Sequence, residues 1–394
     1  MISLTEAQRR VLDHLSPLGA EQIGHEQALN RRLAVPVIAV RTQPPVDVSA
    51  MDGYAVRAAD LTTQPAELTL AGESAAGHAF AEMLIEGRCL RISTGAAIPA
   101  GADQVVIQEN TTRANDRVTL TDTPAPGRHI RRAGLDFQAG DTLLNAGIQM
   151  TAERLALAVG AAVSGFEVFK QPVVGILSTG DELVEPGQVP AADQIYNSVS
   201  HALRGLVETW GGQARYLGIA RDNENDVAMK LDSAAECDLL VTIGGASVGD
   251  HDHLRRVFGE RGGQLVFEKV AVKPGKPTWF GEMESGPVLG LPGNPVSALV
   301  MARLLLRPAL ARLGGTEHTT LFRTASLSQA LGANGDRETF VRAHFDPARN
   351  QIAPDANQDS SALSALVRSN ALIRREIGAP EGKAGDLVEF IALD

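Results

Sequence analysis

Leu239-Leu-Val-Thr-Ile-Gly-Gly-Ala-Ser-Val-Gly-Asp-His-Asp252 is a short apolar run that empties into a glycine-rich turn ending in acids and a histidine. An apolar run this short, without polar alternation, reads as a strand buried on both faces. The same pattern recurs on either side, at Val173–Leu177, Ala214–Ile219, Leu265–Val272 and Val288–Leu291. Helical spacing predicts helices between them, over Ser198–Trp210, Asn225–Ala235 and His253–Phe258, and from Pro295 to about Leu313. Strand and helix alternating in this way give the fold class α/β, a parallel sheet covered by helices on both faces.

Four strands of this segment end in loops that carry chemistry. They are Ser178-Thr-Gly-Asp-Glu182, Gly244–Asp252, Lys273-Pro-Gly-Lys276 and Leu291-Pro-Gly-Asn-Pro295. Ligands of an open parallel sheet bind beyond the carboxyl ends of its strands, so all four loops are expected at one edge. Gly180, Gly244, Gly245, Gly249 and Gly293 leave backbone N–H groups accessible to a phosphate. Asn294 followed by Pro295 suits an N-cap and first helical position. Each loop also has a plainer reading: close strand-to-helix packing for the glycine pair, a solvated turn for the lysines, a helix start for Pro292–Pro295, and caps for the acids. Together, lysines beside carboxylates form the recurring kit of phosphoryl and nucleotidyl chemistry.

Outside this segment the texture changes. Ser3-Leu-Thr-Glu6 reads as a capping box opening a helix with Ala7, Val11 and Leu15 on its apolar side. From Pro44 to about Gly140 short apolar runs alternate with Gly, Pro and Asp, the pattern of a β-rich segment with long loops. It contains Val46–Ala55 with a Met51-Asp-Gly53 turn that also reads as a hairpin, the Gly/Pro loop Thr94–Asp103, and the pair Arg131-Arg132 ahead of Asp136. Thr151 is a candidate N-cap for a helix to Val163, and short strands from about Gly315 suggest a small β-barrel. The expected division is a helical segment in two parts (1–42 and 141–171) that pack together, a β-rich insertion (43–140), the α/β domain (172–314) and the barrel (315–394).

The chain has 394 residues, with 36 basic and 47 acidic side chains and a formal charge of −11. That balance argues against a nucleic-acid or anionic-membrane binder and requires any positive charge for an anionic ligand to be local. Two cysteines, Cys89 and Cys237, lie far apart in apolar surroundings, which favours packing roles and a reducing cytoplasm. Glu6 and Arg9-Arg10 interrupt any signal-peptide pattern, and the apolar stretches are too short or too polar to span a bilayer. His251 and His253 lack further metal-ligand spacing, and the Ser247 turn is not a nucleophile elbow.

Taken as a set, the loops resemble the molybdopterin molybdenumtransferase family. The matching strings are Ser49-Ala-Met-Asp-Gly-Tyr-Ala55, Thr94-Gly-Ala with Pro99–Asp103, Ser178–Leu183, Gly244–Asp252, Lys273–Pro277 and Gly290–Ser297, in order along nearly the whole chain. The resemblance implies a homodimer in which the molybdopterin-binding α/β domain of one subunit faces the β-rich insertion of the other. It implies insertion of molybdenum from molybdate into adenylylated molybdopterin, with release of AMP and with Mg²⁺ as cofactor. Carried over, Asp52, Glu182, Asp252, Lys269 and Lys273 are catalytic, with Asp52, Glu182 and Asp252 as the Mg²⁺ ligands. Substrate contacts fall to Thr94, Asp136, Gly180, Asp222, Gly244, Gly245, Ser247 and Gly249. Lys276, Pro292, Gly293, Asn294, Pro295, Arg342 and Ser360 complete them. Ile243 and Val199 depart from the residues usual in the family. The alternatives are a molybdopterin adenylyltransferase, which typically lacks the insertion and the barrel, and a non-catalytic molybdopterin-binding or scaffold protein.

Overall fold

A computed structural model describes residues 1–123, 125–245, 253–318 and 320–393. The chain forms two compact units: Met1–Glu21 with Val168–Asp394, and Gln22–Glu167. Residues 1–42 are therefore divided between the two.

The first unit is built on a six-stranded sheet in the order Gln213–Ala220, Val173–Thr179, Leu239–Ile243, Gly286–Leu291, Trp279–Met283, Gln264–Phe267. The first four are parallel, as expected. The sequence reading did not separate the hairpin Trp279–Met283/Gly286–Leu291, which adds two antiparallel pairings. Gly281 and Glu282 break the apolar signal of that strand. The expected strand Leu265–Val272 is also two pieces. Gln264–Phe267 stays in the sheet, while Val272–Lys273 leaves it and pairs with strand Glu338–Asp346 of the C-terminal barrel.

Alternating side chains face different cores, as the period of two demands. Leu239, Val241 and Ile243 pack with helices Val199–Thr209 and Pro295–Met301, whereas Leu240 packs with Val227, Leu231, Leu254 and Val257 on the other face. Helix Leu4–Asp13 joins the first of these cores through Leu4, Ala7 and Val11. Ser3 caps it by accepting the Glu6 N–H at 3.2 Å. The Glu6 carboxylate does not complete the box but binds Arg9 and Arg10. The helix from Pro295 continues to Leu313 through a π turn at Ala302–Leu306, placed just before Pro308, which has no N–H to give an i→i−4 bond.

The barrel closes in the order Glu338–Asp346, Gln351–Pro354, Arg323–Leu327, Leu387–Ala392, Ala371–Arg375 and back to the first. Closure leaves its five strands without a free edge. In the second unit, six strands order as Gln104–Ile107, Gly53–Val56, Arg88–Ile92, Ala66–Ser74, Arg117–Leu120, Thr111–Ala114. Strand Val37–Ile38 pairs with Thr142–Leu144, tying residues before the insertion to residues after it. Thr151 caps helix Ala152–Gly160. Both cysteines are buried thiols, and burial pushes Cys89 up to about 12. Among the described residues no helix is long and apolar enough to cross a membrane.

Gly275, in the lysine loop, has φ +137°, and a Cβ there would collide with the Met301 side chain. Gly275→Ala is expected to cost about 1–3 kcal/mol in a denaturant melt. Combined with Met301→Ala it should cost less than the two single changes added. Strict additivity would mean that this contact does not govern the loop.

Candidate functional site

The lysine loop is held at several points. The Val270 N–H donates to the Lys276 carbonyl at 3.0 Å, and the Thr278 N–H and hydroxyl both donate to the Gly275 carbonyl, at 3.1 and 2.7 Å. Ile2 exchanges backbone bonds with the segment just before it, donating to Lys269 O at 3.1 Å and accepting from Ala271 N at 2.7 Å. Lys273 and Lys276, both exposed, thus stand on a fixed backbone.

Opposite them, residues 355–361 wind through successive Asx turns. Asp355 accepts the Asn357 N–H, Asn357 the Asp359 N–H, and Asp359 the Ser361 N–H, at 2.8, 2.9 and 2.8 Å. The Asn357 N–H, followed by Arg368, holds Asp355 below the usual carboxylate range against the opposing effect of burial. The Arg342 guanidinium donates to the carbonyls of Asn357 and Asp359, each at 3.2 Å. Arg342 is 1% exposed, and its Nε has no hydrogen-bond partner among the described residues. Asn294 occupies the N-cap of the Pro295 helix, but its amide donates to the Ser360 hydroxyl at 3.0 Å. The Val296 N–H in turn donates to the Ser360 carbonyl at 3.0 Å.

These pieces enclose a cavity of about 440 Å³ between the α/β domain and the barrel, within the first unit. Lys273, Lys276, Asn294, Arg342 and Ser360 all line it. So do Arg337 and Arg375, which the sequence reading missed; the available signal was an arginine at the inward parity of the 371–375 strand. Five cations and no carboxylate line this cavity in a chain of net charge −11.

Gly180, Glu182, Asp222, Gly244 and Gly245 follow the ends of the parallel strands. Asp181 and Asp222 exchange bonds, each accepting the other's N–H, at 3.4 and 3.2 Å. The Glu182 carboxylate lies over Gly180, where a Cβ would collide with it. Gly244 has φ +88°, and a Cβ would stand 2.8 Å from the Thr179 carbonyl, so close packing of two strand ends already requires glycine there. The stretch between Gly180 and helix Val199–Thr209 is pinned by a network that the sequence did not announce. Ser178 and Ser200 bind the Asn197 side chain, Asn197 donates to the Tyr216 hydroxyl at 2.8 Å, and Tyr216 donates to Glu185. Burial first, then Glu185, pushes Tyr216 above its ordinary range. Ser247, Gly249 and Asp252 lie outside the described residues.

In the second unit the Met51-Asp-Gly53 turn is not a hairpin. Strand Gly53–Val56 pairs with Arg88–Ile92 and Gln104–Ile107, while Val48–Ser49 pairs with Ile130–Arg131. Asp52 Oδ1 accepts the Thr94 N–H at 2.7 Å and its hydroxyl at 3.1 Å, so the turn and the Gly/Pro loop meet as predicted residues. Asp136, Arg131 and Gly95 line a second cavity of about 570 Å³. The arginine pair is split, because Arg132 binds Asp47 at 2.5 Å. Among the described residues no three carboxylate, histidine or cysteine groups stand together as a metal site.

Residues 175–312, the mixed sheet with its loops, match the family described as a probable molybdopterin binding domain. Residues 2–162 match the MoeA N-terminal region (domain I and II), and residues 324–393 the MoeA C-terminal region (domain IV). These matches define a multidomain protein with a molybdopterin-binding type of α/β domain. A molybdopterin molybdenumtransferase of Haemophilus influenzae is 37% identical over 400 residues, covering 98% of each chain. One from Nostoc is 36% identical over 364 residues, covering 89% of this chain and 84% of its own. The crystal structure of a molybdopterin biosynthesis MoeA protein from Pyrococcus horikosii superposes with a TM-score of 0.86 at 28% identity, covering 100% and 99% of the two chains. The chain belongs to the molybdopterin molybdenumtransferase family.

The Thr94 N–H and then its hydroxyl hold the Asp52 carboxyl below its ordinary value against a smaller opposing effect of burial, with the charge of Arg91 adding least. A depressed carboxylate contributes stability above its unfolded value of about 3.9 and loses it as pH falls through the folded one. Carboxyl-detected NMR should place the Asp52 midpoint below that of an ordinary aspartate, and Thr94→Val should move it upward. A midpoint unmoved in Thr94→Val would show that the hydroxyl contributes nothing.

Proposed function

We propose that this chain inserts molybdenum into molybdopterin, taking molybdate and adenylylated molybdopterin and releasing AMP. The observation that carries the reading is the cavity with five cationic residues and no carboxylate in its lining. Molybdate and a phosphorylated pterin are both anions, and a pocket of this charge stabilises them where the rest of an acidic chain repels them. Lys273 and Lys276 supply compact mobile charges, and Arg342 contributes a buried one. Ser360, accepting from Asn294, keeps its own O–H to donate toward the anion.

Glu182 and Asp222 at the sheet edge, and Asp52, Thr94 and Asp136 in the other unit, are the residues proposed to meet the reacting end of the substrate. Full assembly of that end draws on a second copy of the chain. Three carboxylates, Asp52, Glu182 and Asp252, are hard oxygen donors of the kind Mg²⁺ takes, and Asp52 is held ionised as such a ligand must be. Bound there, Mg²⁺ would neutralise pyrophosphate charge.

The test is to mix the full-length protein with adenylylated molybdopterin, molybdate and Mg²⁺, and to follow AMP and molybdenum cofactor. AMP release that depends on molybdate is expected. Lys276→Met should lower the rate by about 100-fold and Ser360→Ala by about tenfold. AMP release indifferent to molybdate overturns the proposal, and ATP-dependent adenylylation of free molybdopterin would identify an adenylyltransferase instead.

A further inference from the structure

The lining of the cavity of about 440 Å³ comes from two faces of the barrel wall, which strand parity separates. Along Glu338–Asp346, Val341 and Ala343 point into the barrel core with Ile373 and Ala371. Phe340 points the other way, into the α/β core with Leu372. Side chains alternate along a strand, so Thr339 shares the barrel face with Val341, and Arg342 shares the outer face with Phe340. Thr339 stands opposite Arg375 in one pairing and opposite Lys273 in the other. Lys273, Thr339 and Arg375 therefore form a row across three strands at the barrel mouth. Arg342 lies three residues along, about 10 Å away at the usual strand rise, and faces Ser360 and the α/β domain.

The mouth is preorganised. Asn334 accepts the Thr339 hydroxyl at 2.8 Å and donates to the carbonyls of Arg337, Arg375 and Glu376 at 2.8, 3.0 and 2.7 Å. Arg375 donates through Nη2 to the Gly332 carbonyl at 3.3 Å and to the Pro380 carbonyl. It is only 8% exposed, and among the described residues its buried Nε has no partner and no carboxylate pairs with it. Arg337, also on the lining, stands 3.8 Å from the exposed Asp336, the one acid paired with it among the described residues. A buried guanidinium with an unused donor and no counter-charge is a costly arrangement for a wall that only closes a barrel.

We propose that the barrel mouth is a second anion subsite, in which Arg375, Arg337 and Lys273 hold a tetrahedral dianion separately from the anion at Lys276, Arg342 and Ser360. This rests on the anion-binding reading of the cavity given above. The dianion is either the phosphate monoester of the pterin substrate or a free oxyanion, since both present the same charge and shape to an arginine.

Titration calorimetry and equilibrium dialysis of the full-length protein with molybdate alone, and with inorganic phosphate alone, test it. Two classes of bound dianion per chain are expected. Arg337→Gln and Arg375→Gln should weaken one class by about tenfold or more and leave the other within about twofold. Ser360→Ala should do the reverse. Arg337 is partly exposed and its side chain ties no loop, so its variant reports on binding even if Arg375→Gln fails to fold. Displacement of the mouth anion by molybdopterin assigns the subsite to the substrate phosphate, and retention assigns it to a free oxyanion. A single class of bound anion, or equal weakening of both classes in Arg337→Gln, overturns the second subsite while leaving molybdate-dependent AMP release untouched. Absence of any anion binding overturns the cavity reading altogether.

Discussion

Ser360 is the hinge pin of the first unit. Its carbonyl takes the Val296 N–H and its hydroxyl takes the Asn294 amide, so one residue of the barrel completes the start of a helix in the α/β domain. The first N–H groups of a helix have no partner within it, and here a loop from another domain supplies one. That loop is in turn shaped by its own Asx turns and gripped by Arg342, whose carbonyl accepts from the loop's Gln358. Removing this junction would leave the cavity without a shared wall, because its lysines and its arginines come from opposite sides of it.

The charge of the chain is arranged around the same junction. The excess of acid is general, whereas the cations of the cavity are concentrated by loops that hold them in place through backbone bonds. Lys273 and Lys276 are not simply solvated, since their turn is fixed by Val270, Gly275 and Thr278. Asp52 shows the complementary device in the second unit, where Thr94 supplies two donors that keep a carboxylate charged.

The parallel core and its loops were legible because buried strands write themselves as uninterrupted apolar runs. Leu239–Ile243 and Val173–Thr179 carry that signal, and the loops that open at Gly244 and at Gly180 follow from their ends. The hairpin strand Trp279–Met283 was not legible, because Gly281, packed against the Gln264 carbonyl and Phe258, and the partly exposed Glu282 interrupt its apolar run. The displacement of Val272–Lys273 into the barrel was hidden for another reason: pairing partners 66 residues apart leave no local trace. Lys273, Lys276, Asn294, Arg342 and Ser360 line one cavity, and Arg337 and Arg375, which line it too, were invisible to motif reading. Arg375 matters through strand parity, which becomes meaningful only once the barrel's register is known, and Arg337 through the bend that leads into strand Glu338–Asp346.

The pairing of Lys273 with Thr339 and of Asn294 with Ser360 has a consequence for how the molecule comes into being. Both contacts join residues 66 positions apart, and contacts of long separation are slow to form, because loop closure precedes their reward. During synthesis the whole α/β sheet leaves the ribosome before strand Glu338–Asp346 exists. A nascent chain can therefore hold a finished sheet and still lack the cavity between sheet and barrel, whose arginine side arrives only with the last small barrel.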